Sequence, residues 1–553
     1  MEGQIIQICN KLFFTFLLNF FLFFGNVTFL KAKENQLSFI KKLESNESIS
    51  GNYLSWVFSQ KYGDANFSNI FLSKLSDSFN SKESVFNGLN SSLLTNDWEA
   101  CVKFAKKVIK FEKNNFFANL VLSVDSFNRK KFNDSADFIS KINKTDIDGV
   151  FLEIMNAWIS YANGEINDSI DYLGSTEFCI PVKCLHLGLI NEFLNNTKQS
   201  REIYSGMLSE YDSSIRLYEI FYAFFKKTGD KNKINEIYDK LDVVEKNFNK
   251  KKLYEVITPK DALAESYFNI SGWFYERKLY KFSVYFGNIG LNLRKNFPAL
   301  RSLLANSYKK LDLFEYAIKN LDKIDDNSLY YNAQIITHVE ILDETGQTDD
   351  LIDLLKEAST KTRNNFVDML LADSLRSAGF YKESIKIYND LINKIDQPQG
   401  DDWGLFYSRG IAFERLKKWD NAEKDFLIAL DLRPNEPYVL NYLGYSWLER
   451  KINLNEALDI ILIAANQKPH DAYIIDSLGW AYFLLGQFSS SIEILEKAVS
   501  LSPNDATLND HLGDAYWKAG RTREAISQWK RVLIFDPKFI RKNEIKKKIA
   551  TGI

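Results

Sequence analysis

The chain has 553 residues, long enough for several ordinary domains, and 45% hydrophobic with 26% charged residues describes a folded, soluble body. Its 70 Lys+Arg against 72 Asp+Glu leave a formal charge of −2, which excludes a generally nucleic-acid-binding or polyacidic protein but not a local patch. Four cysteines make no disulfide framework, and the feature that stands out is an aromatic content of 14%.

Residues 12–24 read LFFTFLLNFFLFF, broken only by Thr15 and Asn19 and preceded by Lys11. This core suits the apolar region of a secretory signal, whereas a membrane span requires about 20 apolar residues. Ala32 is a candidate cleavage residue, but Leu30 two places earlier is a poor partner for it, so an uncleaved anchor competes with a cleaved signal. A buried first helix is the blander alternative, for which Thr15 and Asn19 would give only a thin solvent stripe. Residues 1–33 are thus a signal peptide or N-terminal membrane anchor, with membrane contact through residues 12–30. Flanking charge leaves orientation open, since Lys31, Lys33, Lys41 and Lys42 outnumber Lys11.

Residues 34–260 carry almost no strand signal and faint helical anchors. Gly88, Ala157, Gly188 and Tyr222 form one column, and Ala100, Ala136, Ser169 and Ser200 a second. A wider step from Tyr222 to Ser271 contains Pro259 and reads as a junction. Across 261–402, Ser271, Ala305, Val339 and Ala372 recur at 34, 34 and 33 residues. Ala317, Leu351 and Ser384 follow them, Gly346 and Gly379 stand where a turn falls, and the loop IDQPQGDD at 395–402 absorbs a longer step to Gly410.

From 403 to 537 the repetition is plain. Prolines 434, 469, 503 and 537 are spaced by 35, 34 and 34, and glycines 410, 444, 479 and 513 by 34, 35 and 34. Phe413, Trp447, Tyr482 and Tyr516 keep the same phase, as do Ala422, Ala457, Ser491 and Ala525, then Phe426, Ile461, Leu495 and Trp529. Small columns allow two antiparallel helices to approach closely, and large residues fill the space between. Gly486 and Gly520 supply a turn between the helices, and each proline ends the second helix. The unit is a helix-turn-helix about 34 residues long. After Pro537, residues 538–553 form a basic capping helix and tail with Arg541, Lys542, Lys546, Lys547 and Lys548. A polar cap keeps a repeat array soluble; phosphate or anionic lipid binding is the alternative reading of those cations.

On these columns, 403–537 resembles tetratricopeptide repeats (TPRs). The strings LNYLGYSW, DSLGWAYFLLGQF and DHLGDAYWKAG resemble the terminal repeats of exported or membrane-associated bacterial TPR proteins. The resemblance implies an all-α, right-handed superhelical solenoid of antiparallel helix pairs, regular over 403–537, divergent over 261–402 and degenerate over 34–260. It also implies a bacterial cell-envelope setting, with the chain exported to the periplasm or anchored by its apolar segment. In a solenoid each repeat contacts mainly its neighbours, so one quasi-continuous array replaces several globular cores.

No Walker loop, GxGxxG, HExxH or GxSxG occurs, so no catalytic residue, metal or cofactor is assigned. His186, His338, His470 and His511 are far apart in sequence and read as structural or surface residues. Cys179 and Cys184 form a lone C-x4-C, open to a local disulfide if the chain is exported and otherwise to packing. The first helices offer more. Beside their buried stripe, an i, i+3, i+7, i+10 face carries Tyr438, Asn441, Tyr445 and Leu448, then Tyr473, Asp476, Trp480 and Phe483, then Thr507, Asp510, Asp514 and Trp517. In TPR arrays this face lines the concave groove. Aromatic rings interleaved with Asn and Asp suit an extended protein or peptide partner, neutral or basic, and disfavour both a carboxylate clamp and nucleic acid. Part of the strip can instead be read as inter-repeat core. The leading expectation is a non-catalytic scaffold or adaptor; the alternatives are a membrane-anchored organising protein without a specific peptide ligand and an enzyme with an unrecognised carboxylate site.

Overall fold

In the computed structural model the described residues are 49–61, 71–72, 74–75, 81–143, 149–174, 180–210, 214–241, 251–362 and 364–553. They form 28 α-helices and no β-strand; one isolated bridge joins Lys252 to Ser328. The expectations for residues 1–33, and for Cys179, lie outside the described residues. No helix among the described residues is long and apolar enough to cross a membrane. Cys184 is disulfide-bonded, while Cys101 is a free thiol that burial pushes up to about 12.

Helices alternate as first and second members of antiparallel pairs, and the turn between them has a fixed chemistry. One residue at each turn takes positive φ: Asn96, Lys130, Gly164, Asn195, Gly229, Lys278, Asp312, Gly346, Gly379, Lys417, Lys451, Gly486 and Gly520. Most steps in this series are 33 to 35 residues, so the repeat runs through the degenerate region as five pairs between Lys82 and Leu241. Sequence reading missed Gly164 and Gly229 and the seven turns where Lys, Asn or Asp holds the place of glycine, the latter at a cost of roughly 1–2 kcal/mol per residue.

The pairs are locked by a small residue facing a large one 16 or 17 positions later. A Cβ on Gly410 would lie 2.7 Å from Phe426, on Gly444 2.6 Å from Ile461, on Gly479 2.6 Å from Leu495 and on Gly513 2.5 Å from Trp529. The same lock holds far upstream, where Gly88 faces Phe104 at 2.5 Å and Gly188 faces Tyr204 at 2.4 Å. Tyr222 replaces the small residue with a ring that meets Tyr238, hydroxyl to hydroxyl at 3.0 Å. Asp471 and Asp505 cap the first helices of successive repeats, each accepting two backbone N–H bonds.

The chain divides into two compact units, the described residues up to Leu351 and those from Ile352 onward, with the division inside helix Thr348–Thr362. The N-terminal unit corrects the nearest-neighbour expectation. Helices Pro259–Glu276 and Tyr280–Leu293 pack back against Lys82–Thr95, Phe116–Asn128, Gly149–Asn163 and Pro181–Phe193. Asn288 Nδ2 donates to the Leu93 carbonyl and the Tyr308 hydroxyl to the Leu94 carbonyl, both at 2.7 Å. Phe117 stacks on Phe282, Phe116 meets Phe286 edge-on, and Phe151 meets Trp273. His186 is buried in this seam, accepts from Trp158 Nε1 at 2.9 Å, and is driven by desolvation down to about 3, so its ring is neutral.

The junction before Pro259 is clamped by buried ions. Arg216 donates from Nε and Nη2 to both Glu265 oxygens at 3.0 and 2.7 Å, and from Nη1 to Glu219 at 2.6 Å and the Tyr254 carbonyl at 2.9 Å. Glu219 accepts from the Tyr254 N–H at 2.7 Å. Desolvation disfavours the guanidinium, yet the two carboxylates hold it firmly charged.

Two outcomes follow from these contacts. Arg216→Met strands Glu219 and Glu265 in the core and should destabilise the N-terminal unit by about 3–5 kcal/mol in urea unfolding. Lys451→Gly relieves a left-handed lysine in an exposed turn and should raise the stability of the C-terminal unit by about 1 kcal/mol, as a shifted urea midpoint with unchanged slope.

Candidate functional site

The C-terminal unit presents the first helices Pro437–Arg450, Ala472–Leu484 and Ala506–Lys518 in succession. Each buries its Leu-rich stripe against a second helix, which leaves the adjacent i, i+3, i+7, i+10 positions to face the next repeat or solvent.

The structure places the strip residues in three settings. Tyr438, Asn441 and Tyr445 are half-buried, and Tyr473 is 48% exposed with its hydroxyl donating to Asp505 at 3.4 Å. Burial, then nearby acids, pushes the Tyr438 and Tyr473 phenols up to about 12. Burial also raises Tyr445, whose surroundings include Glu449, Asp476 and Arg541.

In the second setting Trp480 stacks on Phe483 at 4.6 Å and on the His511 imidazole at 4.1 Å. His511 Nδ1 meets Asp476 Oδ2 at 2.9 Å. Three buried polar atoms of this region have no hydrogen-bond partner: Asn441 Oδ1, Asp476 Oδ1 and Trp480 Nε1.

In the third, Asp510 and Asp514 are buried beneath the C-terminal helix Lys542–Thr551. Lys548 Nζ lies 2.8 Å from Asp510 Oδ1 and from both Asp514 oxygens, and Arg541 pairs with Asp510 Oδ2 at 2.9 Å. Trp529 Nε1 donates to Asp514 at 3.0 Å, and its ring lies 5.6 Å from that of Trp517. The strip residues are thus on one series of helices, but Asp510 and Asp514 do not present their carboxylates to solvent in this state.

Sequence reasoning passed over His511, Arg541, Lys548 and Trp529 as members of this cluster. A usable signal existed: Lys548 stands 34 residues after Asp514, the repeat step, so the register continues into the terminal helix with opposite charge. Three carboxylates, Asp476, Asp510 and Asp514, face three bases, His511, Arg541 and Lys548. Desolvation alone would depress the His511 imidazole, but Asp476 and Asp510 outweigh it and hold the ring above its ordinary value. Asp514 is raised by burial and by Asp510, against the pull of Lys548.

Other buried acids have evident structural partners: Asp425 takes Arg409 in a two-bonded fork at 2.7 Å, and Asp505 caps a helix. Among the described residues no three or more His, Cys, Asp or Glu side chains converge as a metal site.

This geometry, paired helices repeating every 34 or so residues with a small-to-large lock, defines an α-helical repeat solenoid. Residues 479–520 match the family model described as TPR repeat, so the chain carries a tetratricopeptide repeat there. A comparison with curated proteins returned no match. Among solved structures the chain is similar to MamA 41-end from Desulfovibrio magneticus RS-1, at 23% identity over 32% of this chain and 97% of that one, TM-score 0.28. It is similar to the APC/C hetero-tetramer Cut9–Hcn1 at 15% identity over 85% and 96%, TM-score 0.37. TTC0263, a thermophilic TPR protein in Thermus thermophilus, is a third, at 19% identity over 34% and 98%, TM-score 0.29.

The raised His511 makes a pH prediction with a definite sign. A group whose folded value lies above its unfolded value stabilises fully below the unfolded value, about 6.5, and loses that contribution as pH rises through the folded one. The gap in thermal midpoint between wild type and His511→Gln should therefore be widest near about pH 5.5 and narrow toward about pH 8.5. A gap that widens with pH would contradict the assignment.

Proposed function

We propose that the protein is a non-catalytic scaffold of the bacterial cell envelope whose C-terminal unit binds an extended segment of a partner protein along Tyr438, Asn441, Tyr445, Tyr473, Asp476, Trp480 and Phe483. The observation that carries this reading is the set of unpartnered polar atoms, Asn441 Oδ1, Asp476 Oδ1 and Trp480 Nε1, on the face that also holds partly exposed rings. A buried polar atom without a partner costs about 1–3 kcal/mol, and the amides and carbonyls of a bound segment remove that cost once the half-buried rings over these atoms shift to admit it. The rings add apolar area and shape, the usual anchors of an interface. Asp510, Asp514 and Trp517 extend the same line and come into play where the terminal helix leaves them.

The envelope assignment is supported by the apolar run at 12–24, which has the length of a secretory signal's apolar core. Cell fractionation with N-terminal sequencing of the mature chain tests it. Recovery in the cytosolic fraction would remove it.

For the groove, in-cell crosslinking with mass spectrometry should show at least one partner whose recovery falls about tenfold or more in Tyr445→Ala plus Trp480→Ala, as expected for loss of interface anchors. Equal recovery of every partner from the folded double variant would sink the groove reading and favour an organising protein without a specific peptide ligand.

A further inference from the structure

The C-terminal helix carries more charge into its contact with the array than closing the array requires. Residues 538–553 carry six cations against Glu544. The helix seals the array with an apolar contact of Ile545 and Ile549, joined by Phe539 just before it, yet it also seats Lys548 beside them at 5% exposure. Its charged contacts fall on the strip. Arg541 and Lys548 reach Asp510 and Asp514, which in the third repeat occupy the positions held by Asn441 and Tyr445 in the first and by Asp476 and Trp480 in the second. Lys548 Nζ also lies 5.9 Å over the Trp529 ring, and Gly552 abuts Trp517 so closely that a Cβ there would come within 1.9 Å of the indole. One repeat before Asp510, Asp476 is 5% exposed, bound to His511 through Oδ2 and unpartnered at Oδ1.

We infer that the C-terminal helix is an internal, exchangeable occupant of the acidic end of the groove, and that the groove's partner is a protein segment presenting a lysine that takes the place of Lys548 between Asp510 and Asp514. This inference rests on the groove reading above and specifies its ligand. Charge complementarity selects the occupant: the site already holds a primary ammonium on three carboxylate oxygens, and the next acid along, Asp476, has an oxygen to spare. The tie is releasable because desolvating two carboxylates, an ammonium and a guanidinium offsets most of their attraction. The short tether after Phe535 holds the helix at an effective concentration on the order of millimolar, so a competing segment must add contacts beyond its lysine, and the Trp480–Phe483 pair and Asp476 are there to make them.

The test uses the full chain and a fluorescent synthetic peptide of residues 539–553. Binding is read by anisotropy to wild type and to Lys548→Met, which keeps the side-chain stem and loses the charge. The peptide should bind the variant at least about tenfold tighter than wild type, because the tethered competitor is weakened. The same peptide carrying Lys548→Met should lose that binding, and salt should weaken the native peptide. Should Lys548→Met fold poorly, the wild-type chain still decides the matter: excess peptide should speed hydrogen exchange of amides 542–551, by displacing the helix. No binding to the folded variant, equal binding of the two peptides, or unchanged exchange overturns the inference. None of these results touches the crosslinking comparison through Tyr445 and Trp480, so the two readings fail separately.

Discussion

Everything regular in this chain depends on one steric constraint, the close approach of a first helix to the second helix of its own pair. A position without a side chain, such as Gly479, lets Leu495 settle against the backbone of the facing helix at a distance no Cβ tolerates. That contact fixes the rotation of both helices, and so fixes which faces remain for the next repeat. Because 34 residues separate equivalent positions, the leftover faces line up from repeat to repeat. The strip at Tyr438, Tyr473 and Thr507 is a by-product of that alignment before it is anything functional. The turn residue completes the geometry: the left-handed position closes the hairpin in so few residues that the helices emerge antiparallel and touching.

The N-terminal unit obeys the same local rule and breaks the global one. Its helix pairs form as the others do, yet Pro259–Glu276 and Tyr280–Leu293 fill the face that a solenoid leaves open, with Phe117 on Phe282 and Asn288 on the end of helix Lys82–Thr95. The constraint there is the loop before Pro259, which Arg216 ties to Glu219 and Glu265 so that the later pair cannot swing away. Much of the unusual aromatic content is used in this way. Phe116, Phe151, Trp273 and Phe286 pack between distant repeats, and Phe274 stacks on Phe286 within its own pair, a use in which rings supply area without requiring hydrogen bonds.

The difference in legibility follows from the range of each interaction. Columns such as Gly410, Gly444, Gly479 and Gly513 were readable because both partners lie within one repeat and recur. The turns at Lys278, Asp312 and Lys417 were not, since a long or acidic side chain in left-handed backbone leaves no compositional mark. Contacts between residues about two hundred positions apart, Asn288 with Leu93 for instance, have no period at all. At the candidate site the line of Tyr438, Tyr445, Tyr473 and Trp480 was legible from helical spacing. The fate of Asp510 and Asp514 was not, because it depends on a terminal helix that keeps the repeat step while abandoning the repeat's residues.

That terminal helix exposes a general difficulty of stacked repeats. Each first helix offers carboxylates to the seam with its successor, and a buried carboxylate without a base is far more costly than any apolar mismatch. At the seam between the second and third strip helices an imidazole answers Asp476; at the last seam Lys548 and Arg541 answer Asp510 and Asp514. Apolar seams such as those around Ala457 and Ile461 derive net stability from area removed from water. Charged seams derive little net stability, because attraction and desolvation nearly cancel, but they strongly discriminate which group sits there. The array is therefore held most tightly where it is apolar and most selectively where it is charged. Elements that exchange partners come from the weakly held end of a structure. In this chain that end is also the one where the neighbour's identity is set by a lysine.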